Sequence, residues 1–243
     1  MSTSVNPALH TKVSRQVWLR RPEKLWVRGL LLQIHLWVGM LTGLYVLVMA
    51  LSGSIIVFRN QLERAGPVRS LEWLVDLHEN LLLGMTGRAA NGVGAMFVTL
   101  LCLTGAIIWW PGIVHWRRSL TVNWRSSFAR VNWDLHNTLG FWCFLFVILW
   151  GISGIYFAFP QPFNRIVDLF QTSGASGKLQ IGDMALFWLS NLHFGRLDWF
   201  TEALWTVVGA VPAILVFTGM SMYCHSLFVR RATSSRGVTL RND

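Results

Sequence analysis

Residues 30–58 read LLLQIHLWVGMLTGLYVLVMALSGSIIVF, a run with no charged residue and a single histidine, His35, near its start. A helix needs roughly 20 apolar residues to cross a hydrocarbon core of about 30 Å, and this run exceeds that length. Working outward, three further runs qualify, at 92–111, 135–159 and 200–228. Turn or charge signals bound them: Arg59-Asn60, Pro111-Gly112, Pro160 with Pro162, and Arg230-Arg231. Composition agrees, because 53% of the 243 residues are hydrophobic and only 13% charged, with 14 tryptophans, which is too apolar for a soluble domain of this length. The expected fold is an all-α integral membrane protein with four transmembrane helices forming one domain over 1–243.

The runs are not independent. At an offset of 101 residues, His35 falls on His136, Gly39 on Gly140, Ser52-Gly53 on Ser153-Gly154 and Phe58 on Phe159. At an offset of 115, Asp76-Leu77-His78 falls on Asn191-Leu192-His193 and Gly94-Ala95 on Gly209-Ala210; one residue of slip then sets Thr104-Gly105 on Thr218-Gly219. The chain therefore reads as two tandem two-helix repeats, A at about 30–116 and B at about 131–229. Two spans return the chain to its starting side, so the copies share an orientation and are expected to be related by an axis along the membrane normal.

That symmetry sets His35 opposite His136 at one depth and His78 opposite His193 at another. His78 and His193 each precede an inbound run and are expected on short interfacial helices on the periplasmic side. A neutral imidazole is a good axial ligand for haem iron, and two of them make a six-coordinate b-type centre suited to passing electrons. Four such histidines predict two haem b groups, with His35, His136, His78 and His193 as iron ligands. Gly39 and Gly140, one turn after their histidines, are the expected clearance for a flat macrocycle, although glycines at such spacing also serve plain helix packing. Arg28, Arg88 and Arg196 stand near these histidines and could meet haem propionates, or act as ordinary positive anchors at the headgroups. His10 sits in a polar tail, and His115 and His225 read as interfacial. The three cysteines have no pair spacing and read as packing residues, and no C-x-x-C-H occurs.

Charge gives topology. Fourteen of the 21 Lys/Arg fall on the side of the two termini and seven on the other, while eight of 11 acidic residues fall opposite. The positive-inside rule then sets both termini in the cytoplasm of a bacterial inner-membrane protein. The net charge of +10 accordingly reads as topology plus attraction to anionic lipid, not as a nucleic-acid footprint.

In order and spacing, the motifs Leu-Ser-Gly at 51–53, Asp-Leu-His-Glu-Asn-Leu-Leu-Leu-Gly at 76–84, Leu-Thr-Gly before Trp109-Trp110-Pro111, and Asp-Leu-His-Asn-Thr-Leu-Gly at 134–140 resemble the PepSY-associated transmembrane family over about residues 28–230. The resemblance implies a relation to bacterial inner-membrane ferric-siderophore reductases with haem between the helices, and it points at His35, His78, His136 and His193. The chain departs from the family where a folded periplasmic PepSY domain would sit, since only residues 59–72 separate Phe58 from the segment bearing His78. The expectation is a di-haem b-type membrane cytochrome, working as a small electron-transfer subunit with membrane or periplasmic redox partners and with quinol as a plausible donor. A stand-alone ferric-chelate reductase and a haem-free structural subunit are the alternatives.

Overall fold

The computed structural model describes residues 25–65, 71–111, 116–170 and 181–239, and every regular element among them is helical. In chain order these are α1 (Trp26–Ile56), α2 (Arg59–Ala65), α3 (Glu72–Asn80), α4 (Gly84–Trp109), a 3-10 turn (Trp116–Leu120), α5 (Phe128–Trp142), α6 (Phe144–Ala158), α7 (Pro160–Phe170), α8 (Ile181–Phe194), α9 (Trp199–Gly209) and α10 (Val211–Thr239). Helices α1 and α4 and the stretch Trp199–Phe228 are each long and apolar enough to cross a membrane. A fourth span is present if α5 and α6 are taken as one broken crossing. The protein is thus a multi-pass helical membrane protein.

Two boundaries differ from the sequence expectation for physical reasons. Helix α4 starts at Gly84 rather than near residue 92. Leu81 and Leu82 adopt left-handed conformations (φ 55° and 61°), closing α3 and reversing the chain within a few residues. Gly87 then lets the first turn of α4 lie against the Asn80 carbonyl, where any Cβ would collide. The third run breaks at Cys143, whose carbonyl receives the N–H groups of Phe146 and Val147 at 3.1 and 3.0 Å as α6 begins. No proline causes this break. The last turn of α5 is instead held by its own neighbours: Phe141 stacks on Trp109 at 4.4 Å, and the Trp142 indole donates to the Leu120 carbonyl at 3.2 Å. Helix α9 begins on a capping box, in which the Asp198 carboxylate accepts from the Thr201 N–H at 2.7 Å and the Thr201 hydroxyl oxygen accepts from the Asp198 N–H at 2.9 Å.

The chain separates into two units. The first gathers the described residues up to Met40, Leu103–Trp142 and those from Phe217 onward; the second gathers Leu41–Cys102 and Cys143–Val216. The burial pattern is that of a protein solvated by lipid. Large apolar side chains such as Leu41, Leu44, Leu145 and Val207 point outward, while the buried set includes Ser52, Ser54, Thr104, Asn132, Ser153 and Thr218. Small residues let helices approach closely, and their polar atoms find partners across the interface. Among the described residues the most completely buried side chain is a serine, Ser153.

Candidate functional site

Each unit brings together one pair of histidines. In the first, His35 of α1 and His136 of α5 lie with ring centroids 6.4 Å apart and planes at 88°. In the second, His78 of α3 and His193 of α8 are also 6.4 Å apart, with planes at 60°. His225 is exposed on α10. His10 and His115 lie outside the described residues.

All four rings are held in one manner. Nδ1 of His35 is 3.0 Å from the Thr104 hydroxyl and that of His136 is 2.9 Å from Thr218; Nδ1 of His78 is 2.9 Å from Ser52 and that of His193 is 2.6 Å from Ser153. All four hydroxyl residues are buried. For the second pair the shortest serine hydrogen bonds favour one tautomer. A serine hydroxyl has one hydrogen, and Ser52 donates it to the Val48 carbonyl at 2.6 Å, while Ser153 donates its own to Leu149 at 2.6 Å. Each serine therefore accepts from an Nδ1–H, and each imidazole keeps its lone pair on Nε2. That is the form in which histidine binds metals, with the other ring nitrogen held by an outer partner. Burial pushes His78 and His193 well below the ordinary imidazole range, with the neighbouring His78 adding to the effect on His193, so both rings are neutral.

Every hydroxyl is followed by glycine, and three of these glycines meet a histidine. A Cβ on Gly53 would stand 2.9 Å from Cε1 of His78, one on Gly105 3.2 Å from Cε1 of His35, and one on Gly219 3.3 Å from Cε1 of His136. The fourth, Gly154, closes on the Ala95 side chain instead, at 3.0 Å. The Ser/Thr-Gly dipeptide is thus a seat: the hydroxyl takes Nδ1, and the missing side chain admits the ring. A Cβ at Gly140 would meet nothing within 4 Å, and Gly39 is half-buried on α1.

The second unit encloses a cavity of about 600 Å³ bordered by both of its histidines, Gly53, Gly154, Arg88 and Arg196. That volume falls within the roughly 300–1,000 Å³ usual for ligand and cofactor sites. Each of these arginines reaches a helix-end carbonyl. Arg88 donates to Phe157 at 3.1 Å and Arg196 to Ile56 at 2.7 Å, positions that the 101-residue offset sets against each other. A guanidinium carries five N–H donors, so this use does not exhaust it. Phe157 in turn packs its ring edge against His193 at 5.1 Å. Arg28 belongs to the first unit, where it donates to the Ile108 and Trp110 carbonyls at the end of α4 at 2.6 and 2.8 Å. In the same unit Asn132 donates to the Thr218 carbonyl at 2.9 Å, steadying the residue that holds His136.

The donor set narrows what could bind. Among the described residues no group of three or more His, Cys, Asp or Glu could hold a bare ion. Two imidazoles would fill two positions on a metal and leave the others to groups outside this set. A first-row metal–imidazole bond is about 2 Å, and a ring centre lies roughly 1.1 Å behind its nitrogen, so two rings on opposite sides of one metal would have centres about 6.2 Å apart. Both observed pairs, at 6.4 Å, fit that separation.

Sequence reasoning named the four histidines as ligands but not Ser52, Thr104, Ser153 or Thr218, although their recurrence before glycine at matching offsets was the visible signal.

Residues 64–180 match the family described as the PepSY-associated TM region; His78 and His136 fall inside that stretch, His35 and His193 outside it. A stretch of 113 residues is 26% identical to an uncharacterised protein of Pseudomonas aeruginosa, covering 40% of this chain and 27% of that protein. The chain therefore spans well under two thirds of that relative's length. No solved structure matches.

Proposed function

We propose that this protein is a b-type di-haem membrane cytochrome that carries electrons across the bacterial inner membrane as a small subunit of a larger redox assembly. The observation that carries the reading is the pair His78–His193: two imidazoles with ring centroids 6.4 Å apart, each with Nδ1 at a buried serine and both bordering one cavity. These two histidines would hold the iron of a haem, with the cavity they border taking the macrocycle. His35 and His136 lie at the same centroid separation, with their Nδ1 atoms beside two buried threonines.

Haem, when bound, supplies one-electron carriage. The chain supplies the rest. The histidines ligate through Nε2, and the serines and threonines hold ring orientation. Glycines 53, 105 and 219 admit the rings, and Arg88 and Arg196 put positive charge at the rim of the cavity for carboxylates. In this reading the two halves are tandem repeats, A and B, each giving one ligand to each centre, and both termini are cytoplasmic, with α3 and α8 on the periplasmic side. Membrane or periplasmic partners, with quinol as one donor, would deliver and remove electrons.

The test is a pyridine haemochrome assay with reduced-minus-oxidised spectra on the detergent-purified chain from haem-replete cells. Two b-type haems per polypeptide with sharp low-spin bands are expected. A colourless preparation would sink the cytochrome reading in favour of a haem-free structural subunit.

A further inference from the structure

The two histidine-bearing helices of the second unit are short, and each ends within two residues of its histidine. The last carbonyls of a helix have no partner within it. Here they are met by side-chain donors from neighbouring helices. Asn91 of α4 donates its amide to the carbonyls of His78 and Glu79 at 2.7 and 3.0 Å. Trp205 of α9 donates its indole N–H to the carbonyl of Leu192, one residue before His193, at 2.7 Å. Trp205 stands one residue before the position that the 115-residue offset assigns to Asn91, so two chemically different side chains reach comparable targets.

Each strut is itself braced. The Tyr45 hydroxyl donates to the Asn91 side-chain carbonyl at 2.7 Å. At the position 101 residues on, Phe146 sets its ring edge against Trp205 with centroids 5.5 Å apart. Glycine makes room on both sides: Gly94 lies against the Tyr45 ring, and Gly195, with φ +62°, against the Trp205 ring. One brace is polar and the other is aromatic and dry, while the rings they steady border one cavity.

We propose that Asn91 and Trp205 are positioning residues that fix the orientation of His78 and His193 by holding the C-terminal carbonyls of the helices that carry them. The proposal rests on the cavity between these histidines being a ligand site. A strut on the backbone next to a histidine acts on ring angle, which low-spin iron reports directly and which overall stability does not.

The experiment compares the detergent-solubilised protein with Asn91→Leu, which keeps the branched skeleton but has no donor, Trp205→Phe, which keeps an aromatic ring but loses the N–H, and Asn91→Gln, which keeps the amide. Low-spin electron paramagnetic resonance and redox titration are expected to show one centre shifted in each donor-less variant and the other centre unmoved, with haem retention at the shifted centre weaker by up to about tenfold and Asn91→Gln restored toward the parent. Unchanged signals and potentials in both donor-less variants would overturn the proposal. Ring-nitrogen NMR of 15N-histidine-labelled protein separates the two levels of the argument. If the parent chain binds no haem, the electron-transfer reading fails; movement of the His78 signals in Asn91→Leu and of the His193 signals in Trp205→Phe still supports positioning, and their constancy refutes it.

Discussion

Ser153 stands 2.6 Å from Nδ1 of His193 and gives its own hydrogen to the Leu149 carbonyl, so the imidazole is the donor in that pair. Ser52 and His78 repeat the relationship at 2.9 Å. Ser153→Ala leaves a buried Nδ1–H without its acceptor, a loss of about 1–3 kcal/mol, and outer partners of metal-bound histidines are worth roughly 10–100-fold in affinity. Faster haem loss from one centre, followed by transfer to apomyoglobin, is the expected outcome. Ser153→Thr, which keeps the hydroxyl and copies the arrangement at Thr218, should retain haem near the parent rate.

The pairing itself makes a second prediction. His136→Ala should remove the centre it shares with His35 and leave the other, reducing haemochrome content from two haems per chain to one. His78→Ala should do the same for the other centre. His225→Ala should leave both, because that ring is exposed on α10. Loss of both haems, or of neither, on His136→Ala would contradict separate pairs.

Gly53 tests the seat. An alanine there sets a Cβ 2.9 Å from Cε1 of His78, closer than atoms tolerate, so the ring must turn. A shifted low-spin signal from a single centre is expected, with the helical circular dichroism unchanged. Gly29→Ala is the matched control, since nothing lies within 4 Å of that position.

Arg196 tests the charge at the cavity rim. A unit charge roughly 10 Å away at an effective dielectric of about 20 is worth ~1.7 kcal/mol. Arg196→Gln removes a cation that favours the reduced form, so the midpoint potential of one centre should fall by tens of millivolts while the other holds. An upward shift, or none, in a spectroelectrochemical titration would remove Arg196 from the site.

Much of this was legible in the sequence because it depends on local pattern. Apolar run length gives the long membrane-seeking segments, and the recurrence of His35 at His136 and of His78 at His193 singles out the four histidines. The glycines were less readable. Gly39 and Gly140 follow their histidines by a turn on the same helix and were the natural candidates for clearance, while the close approach of Gly53, Gly105 and Gly219 to histidine rings on neighbouring helices was not read from the sequence. The break at Cys143 was also hidden, since no proline marks it.

The sequence by itself determined which segments are helical and membrane-seeking, and which residue types recur, because both follow from composition and spacing along one chain. Only the tertiary structure decided that His78 meets His193, that Ser52 and Ser153 take their Nδ1 hydrogens, and that Arg88 and Arg196 reach Phe157 and Ile56. These contacts join residues from 26 to 140 positions apart. Helical periodicity tells which face a side chain occupies, but the face it meets is set by how closely small residues let the helices approach.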